Sequence, residues 1–229
     1  MKIAIMQPYF LPYIGYFQLI NAVDKFVIYD DVNFIKGGWI NRNRILNNGK
    51  VLMISVPLIG ASSFKKINEI EIAKNKEKIL STITHSYRKA PYYDEVYPLI
   101  FELINYDEDN LARFVSNSII KISKYLEIET GFILSSEIKK DNELKAQEKV
   151  LAICKLLDAS KYYNAFGGQE LYNIEDFADK NIELKFIKSQ LVPYKQFNNE
   201  FVPWLSIVDI MMFNTKDEIK EMLNQYELV

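Results

Sequence analysis

Asp30 and Asp31 end an apolar run at residues 25–29 and open onto Asn33-Phe34-Ile35-Lys36-Gly37-Gly38-Trp39-Ile40-Asn41-Arg42-Asn43-Arg44. Paired carboxylates can hold a divalent cation or accept sugar hydroxyls, and guanidinium forks suit phosphates. Asp30 and Asp31 are therefore candidate catalytic groups. Trp39, Asn41, Arg42, Asn43 and Arg44 are candidate substrate contacts. The Asn-Arg-Asn-Arg run equally suits an exposed strand edge whose charges oppose aggregation.

A second segment, Gln7-Pro8-Tyr9-Phe10-Leu11-Pro12-Tyr13-Ile14-Gly15-Tyr16-Phe17, carries three tyrosines, two phenylalanines and two prolines directly after a short apolar run. In an α/β sheet, loops at the carboxyl ends of strands line the ligand crevice. Aromatic walls with hydroxyl tips suit a sugar ring or a nucleobase, which makes Gln7, Tyr9, Tyr13 and Tyr16 candidate contacts. Gly15 allows close backbone approach where a helix begins, a place suited to phosphate. The competing reading is core packing around a rigid proline corner.

His85 is the one histidine of the chain. Helical geometry sets it nearly opposite Ile79, Ile83 and Tyr87, on the side of Ser81 and Arg88. It is either a solvated residue or, if that face lines a cleft, a neutral base for an attacking amine or hydroxyl, with Arg88 as a substrate contact. Cys154 falls on an apolar stripe with Val150, Leu151 and Leu157 and reads as a buried structural thiol. Gly167-Gly168 reads as a tight turn after a strand, able to cradle phosphate through backbone N–H groups or simply to reverse the chain. Ser206 reads as a helix N-cap answered by Asp209.

These residues need elements to hold them. Residues 2–6 and 25–29 read as buried strands around a helix at 15–23, a βαβ unit whose favoured pairing is parallel and right-handed. Residues 51–56 read as a third strand. Helical periodicity then governs residues 74–89, 111–126, with Asp107 or Asp109 as N-cap, and 144–157. Residues 161–164, 182–187 and 192–194 are strand candidates, and 215–226 a closing helix. The order predicts one α/β domain over residues 1–229, a parallel sheet with a helical subdomain at about 74–157.

Composition narrows the function. With 49% hydrophobic and 25% charged residues the chain is an ordinary globular one. Lys+Arg 28 against Asp+Glu 30 leaves a net charge of -2, so no general basic field serves nucleic acid or an anionic membrane. One cysteine and one histidine exclude an internal disulfide and a Cys/His zinc site, and no metal site is assigned. No apolar run reaches the roughly 20 residues of a membrane span, and no secretory signal opens the chain, so a cytoplasmic protein is expected.

The opening MQPYFLPYIGYFQLINAVDKFVIYDDV, then GGWINRNRI, HSYRKAPYY, the YYNAFGGQELY region and the tail FVPWLSIVDIMMFN together resemble the WbqC-like family nearly end to end. That resemblance implies a bacterial protein associated with O-antigen and other surface-polysaccharide gene clusters. Such clusters make nucleotide-linked amino sugars decorated with acyl or aminoacyl groups. The implied activity is therefore an N-acyl or N-aminoacyl (for example glycyl) transfer to a nucleotide sugar, from an acyl thioester or an acyl carrier protein. The alternatives are a Mg²⁺-dependent nucleotidyl transfer at Asp30 and Asp31, or a non-catalytic sugar- or carrier-binding component. Tyr13-Ile14-Gly15-Tyr16 is also similar in placement to the His-x-Gly-His signature of the nucleotidylyltransferase superfamily. Tyrosine is uncharged near neutral pH, so this likeness implies a Rossmann-like architecture only.

Overall fold

Lys2–Met6 (β1) is buried along its middle, with Ile3 and Ala4 fully inaccessible. A strand covered on both faces reads as an unbroken apolar run, the mark of a parallel sheet with helices on either side. The computed structural model, which describes residues 1–198 and 200–229, has that architecture. After β1 come α1 (Ile14–Asn21), β2 (Lys25–Ile28), a hairpin of β3 (Arg42–Asn47) and β4 (Lys50–Ser55), and a short pair, β5 (Leu58–Ile59) with β6 (Glu71–Ile72). Then follow α2 (Glu77–Tyr87), α3 (Tyr93–Ile104), α4 (Leu111–Tyr125), β7 (Gly131–Leu134), α5 (Ala146–Leu156) and β8 (Lys161–Ala165). The chain closes with α6 (Ile174–Ala178), β9 (Glu183–Ser189), α7 (Ile207–Phe213), α8 (Lys216–Leu223) and β10 (Tyr226–Leu228).

The main sheet runs β7-β2-β1-β8-β9-β10. Its first five strands are parallel and β10 is antiparallel. Side chains alternate as a pleated sheet requires. Ala4, Phe26, Ile28, Tyr163 and Ile187 join one core with α1, α4, α7 and α8. Ile3, Ile5, Val27, Tyr162, Leu184 and Phe186 join the other with Val150, Ile153 and Cys154 of α5 and Phe177 of α6. The chain is thus a Rossmann-like α/β fold, as expected. Strand order reverses at β1: the chain goes to β2 and β7 on one side, then returns through α5 to β8 and β9 on the other. In open α/β sheets that reversal is where ligands bind, outside the carboxyl ends of the strands.

Between β2 and β7 the chain makes a long excursion through the hairpin, the short strand pair and helices α2 to α4. The expected 3.6-residue stripe of α4 is buried, from Leu111 through Phe114, Val115, Ser118 and Ile119 to Ile122. Its N-cap is Asn110, whose side chain accepts from the Arg113 N–H at 3.2 Å, rather than Asp107 or Asp109. Asn110 is the last extended residue, bridged to Glu71, so its side chain is the one that meets the first turn. Residues 192–194 form no strand. The closing helix stops at Leu223, and residues 226–228 instead pair with β9. Ser206 caps α7 by accepting from Val208 N–H, but Asp209 does not answer it. Among the described residues no helix is long and apolar enough to cross a membrane.

Candidate functional site

The carboxyl end of β1 runs into the tyrosine-rich loop, and the backbone of that loop is pinned from three directions. Asn43 Nδ2 of β3 donates to the Phe10 and Leu11 carbonyls at 3.1 and 2.9 Å. Ser206 Oγ donates to the same Leu11 carbonyl at 2.7 Å, and the Ile207 N–H donates to the Pro12 carbonyl at 2.8 Å. These bonds hold Leu11 in left-handed backbone with φ 45°. A branched residue there costs about 1–2 kcal/mol, and such strain persists where the surroundings over-determine it. Gly15 matters for a different reason: a Cβ at that position would lie 2.4 Å from the Tyr13 ring, so a larger residue would displace that ring.

This loop, the end of β8 and the first turn of α5 enclose a cleft of about 500 Å³ at the strand-order reversal. Gln7, Tyr9, Tyr13, Tyr16, Tyr29, Gln147, Asn164, Gly167, Gly168 and Tyr172 are among the residues that line it. Gly167 and Gly168 lie in the 3₁₀ segment Phe166–Leu171 with negative φ. They thus turn the chain tightly after β8, but without the alternating backbone of an anion nest. What Gly168 provides is closeness, since a Cβ there would come within 3.0 Å of Asn164 Nδ2.

Burial raises the pKa of Tyr9, Tyr13, Tyr16, Tyr29 and Tyr172, most strongly for Tyr16. Their hydroxyls are neutral near pH 7 and act as hydrogen-bonding tips, not as bases. The Tyr16 hydroxyl is already spent on the Gln7 carbonyl at 2.8 Å. No carboxylate, imidazole, ammonium, guanidinium or thiol occurs among the described residues that line the cleft.

A second hollow of about 260 Å³ adjoins it, lined by Tyr9, Pro12, Tyr13, Trp39, Asn43, Arg44 and Trp204. Tyr9 and Tyr13 border both spaces. The Arg44 guanidinium lies over the Trp39 ring at 5.3 Å, and its Nη2 donates to the Trp204 carbonyl at 2.9 Å.

The expected carboxylates are elsewhere engaged. Asp30 accepts from Ser136 N–H at 2.9 Å and Ser136 Oγ at 2.6 Å. Asp31 Oδ2 pairs with the ammonium groups of Lys140 and Lys149 at 2.8 and 3.1 Å, all three groups being buried. Neither carboxylate lines the cleft; each ties the end of β2 to a distant part of the chain. The Asp31 cluster carries one more positive than negative charge and sits behind Tyr29, over whose ring Lys149 lies at 5.4 Å.

His85 is exposed on α2 and lines neither space. Ile79, Ile83 and Tyr87 hold the opposite face of that helix in the core. Its Nδ1 is 2.6 Å from the Ser81 carbonyl; only a donor fits there, so Nδ1 carries the hydrogen. Arg88 is exposed on the same helix end, also outside both spaces. Arg42 turns back on the preceding loop, with Nε donating to the Gly38 carbonyl at 3.0 Å and Nη2 to that of Gly37. Asn41 is spent on the Val56 carbonyl. Among the described residues no group of three or more His, Cys, Asp or Glu comes together to hold a metal. Sequence reasoning missed Trp204, Asn164, Gln147, Tyr29 and Tyr172. Tyr29 and Asn164 were accessible by the rule already applied to Gln7, because each stands at the carboxyl end of a core strand.

The family model of the WbqC-like proteins matches residues 7–221, from the tyrosine-rich loop to α8. This chain belongs to the WbqC-like protein family. It is 29% identical over 232 residues to the uncharacterized protein Rv1507c of Mycobacterium tuberculosis, a likeness covering 97% of each chain. No solved structure matches it significantly. The family match spans both hollows, so the tyrosine-rich loop, Arg44, the Gly167-Gly168 segment and Trp204 all lie within it.

Proposed function

We propose that this WbqC-like protein is a cytoplasmic transferase of bacterial surface-polysaccharide biosynthesis that N-acylates or N-aminoacylates, for example with glycyl, a nucleotide-linked amino sugar. The observation that carries the reading is the cleft at the β1/β8 reversal, lined by neutral tyrosine hydroxyls and the amides of Gln7, Gln147 and Asn164. Hydroxyl and amide tips on aromatic walls suit a polyhydroxylated ring.

With no group on the lining that is charged or a base near neutral pH, the acceptor amine enters as its free base and attacks the donor directly. The amine nitrogen forms the C–N bond to the carbonyl carbon of an acyl thioester or acyl-carrier-protein conjugate, the C–S bond breaks, and the amine proton leaves with the thiolate or to water. Positioning is then the main contribution of the protein.

Mass spectrometry of amino-sugar nucleotides incubated with acyl and aminoacyl thioesters tests this. An acyl mass increment that depends on the protein is the expected result. A lining whose only ionisable side chains are neutral tyrosines also supports a second reading, a non-catalytic sugar- or carrier-binding component. It predicts saturable binding of the nucleotide sugar with no increment across the panel. Nucleotidyl transfer through Mg²⁺ receives no support, because Asp30 and Asp31 lie outside the cleft lining, Asp30 held by Ser136 and Asp31 Oδ2 by Lys140 and Lys149.

A further inference from the structure

The chain has two tryptophans, and both stand at the smaller hollow: Trp39 at 40% exposure and Trp204 at 44%. Large indoles left half open around one hollow leave apolar surface in water that a ligand would cover. Trp204 is also held in left-handed backbone, φ 59°, where a bulky residue is a genuine outlier. Two contacts hold it there: the Arg44 bond to its carbonyl and an edge-on Tyr13 ring 6.0 Å away. Backbone strain of this kind clusters at ligand clamps.

Arg44 reaches both residues: its guanidinium carbon lies 5.3 Å from the Trp39 ring centroid, and its Nη2 bonds the Trp204 backbone carbonyl. A guanidinium presents a planar fork of N–H donors that matches an oxyanion. Its Nη2 makes one bond to the protein, and its Nε, shut away from solvent, has no hydrogen-bond partner. The larger cleft offers no cation on its lining, so this guanidinium is the positive group that a ligand spanning both spaces meets.

We infer that the Trp39–Arg44–Trp204 hollow holds the nucleoside phosphate half of the substrate, its base against the indoles and its phosphate on Arg44, while the sugar half lies beyond Tyr9 and Tyr13 in the larger cleft. This deepens the transferase reading and rests on it for the sugar half alone.

Because both tryptophans line the hollow, their fluorescence reports its occupancy without any need for turnover. The protein is titrated with UDP and ADP as probes, and with uridine, adenosine and inorganic phosphate as controls. Saturable quenching by a nucleoside diphosphate is expected, roughly tenfold or more weaker for the matching nucleoside and for Arg44→Gln. Trp204→Phe should lose part of the signal and weaken binding. Arg44→Lys and Trp39→Phe, checked by thermal melting, guard against an unfolded Arg44→Gln. Quenching that survives unchanged in Arg44→Gln, or nucleosides that match their diphosphates, would overturn the proposal, as would no quenching by either diphosphate. Diphosphate quenching without an acyl increment leaves this site standing and removes the transferase reading. An increment with fluorescence indifferent to Arg44 does the reverse.

Discussion

The Tyr87 hydroxyl donates to the Asp209 carboxylate at 2.7 Å, joining α2 to α7 across 122 positions of sequence. The same oxygen accepts the Leu46 N–H at 2.9 Å, so β3, which carries Asn43 and Arg44, is fixed through it as well. Asp209 also accepts from Tyr194 at 2.6 Å and Gln196 at 2.7 Å.

Tyr87→Phe should cost about 1–3 kcal/mol, because it strands the buried Leu46 N–H and removes one donor from Asp209. Burial raises the Asp209 carboxyl above its ordinary pKa, against the lowering pull of the Tyr194, Tyr87 and Gln196 hydrogen bonds. A raised folded pKa gives stability that is full below the unfolded pKa and lost as pH rises through the folded one. Removing a donor raises the carboxyl further. The penalty of Tyr87→Phe should therefore be larger at pH 7 than near pH 4. Urea unfolding at the two pH values measures it, and an equal penalty at both would refute the coupling.

Asp31 works with the opposite sign. Burial alone would raise its carboxyl, but hydrogen bonds from Lys140, Ser135 and Lys149 and the Lys149 charge hold it below the ordinary aspartate value. Its stabilisation is present above the unfolded pKa and is lost as pH falls through the folded one. Asp31→Asn leaves two buried ammonium groups without a counter-charge. It should cost about 3–5 kcal/mol at neutral pH, roughly 6–20 °C in Tm, with a shallower acid limb than the parent. Thermal melts from neutral pH down to about pH 3 decide it.

His85→Ala should change neither nucleotide quenching nor acyl transfer by more than about twofold, with stability within roughly 0.5 kcal/mol of the parent. An exposed imidazole bonded to its own helix has no reacting group to serve. Loss of transfer in a well-folded His85→Ala protein would return the histidine to the chemistry.

Cys154 is fully buried, and burial pushes its thiol up to about 12. The thiolate is the reactive form, so the native protein should be silent to a disulfide reagent at about pH 8 and should react with one equivalent once unfolded. Rapid labelling of the native chain would place the thiol elsewhere.

The parts of the fold that show in the sequence are those whose covering is local. β1 and β2 are apolar runs closed by Pro8 and by Asp30, and α4 carries its stripe for four turns. β7 is only Gly131-Phe132-Ile133-Leu134, and it is a strand because β2, far earlier in the chain, lies beside it. α3 was hidden by Pro98, which deletes one helical hydrogen bond yet stays inside the helix. The β3–β4 hairpin was there to be read: Asn48-Gly49, with φ of 49° and 74°, is the dipeptide that a tight hairpin turn selects.

The site divides in the same way. Gln7, Tyr9, Tyr13 and the Gly167-Gly168 segment follow core strands and could be found by topology. Asp30, Asp31 and His85 drew notice by residue type, and what decides their roles lies far off or on their own helix: Ser136 for Asp30, Lys140 and Lys149 for Asp31, the Ser81 carbonyl for His85. Trp204 comes from an irregular stretch with no periodicity, so only the fold brings it opposite Trp39.

The central place of β1 also bears on how the chain is made. As the polypeptide leaves the ribosome, β1 can pair with β2 almost at once, but its other edge waits for β8, more than a hundred residues later. Through most of synthesis, Ile3, Ala4 and Ile5 therefore offer an open, apolar strand border, the kind that recruits neighbouring chains. The long excursion after β2 is produced during that interval. A nascent-chain chaperone that shields the first strand until residue 165 emerges would raise the yield of this protein more than any aid to its later helices.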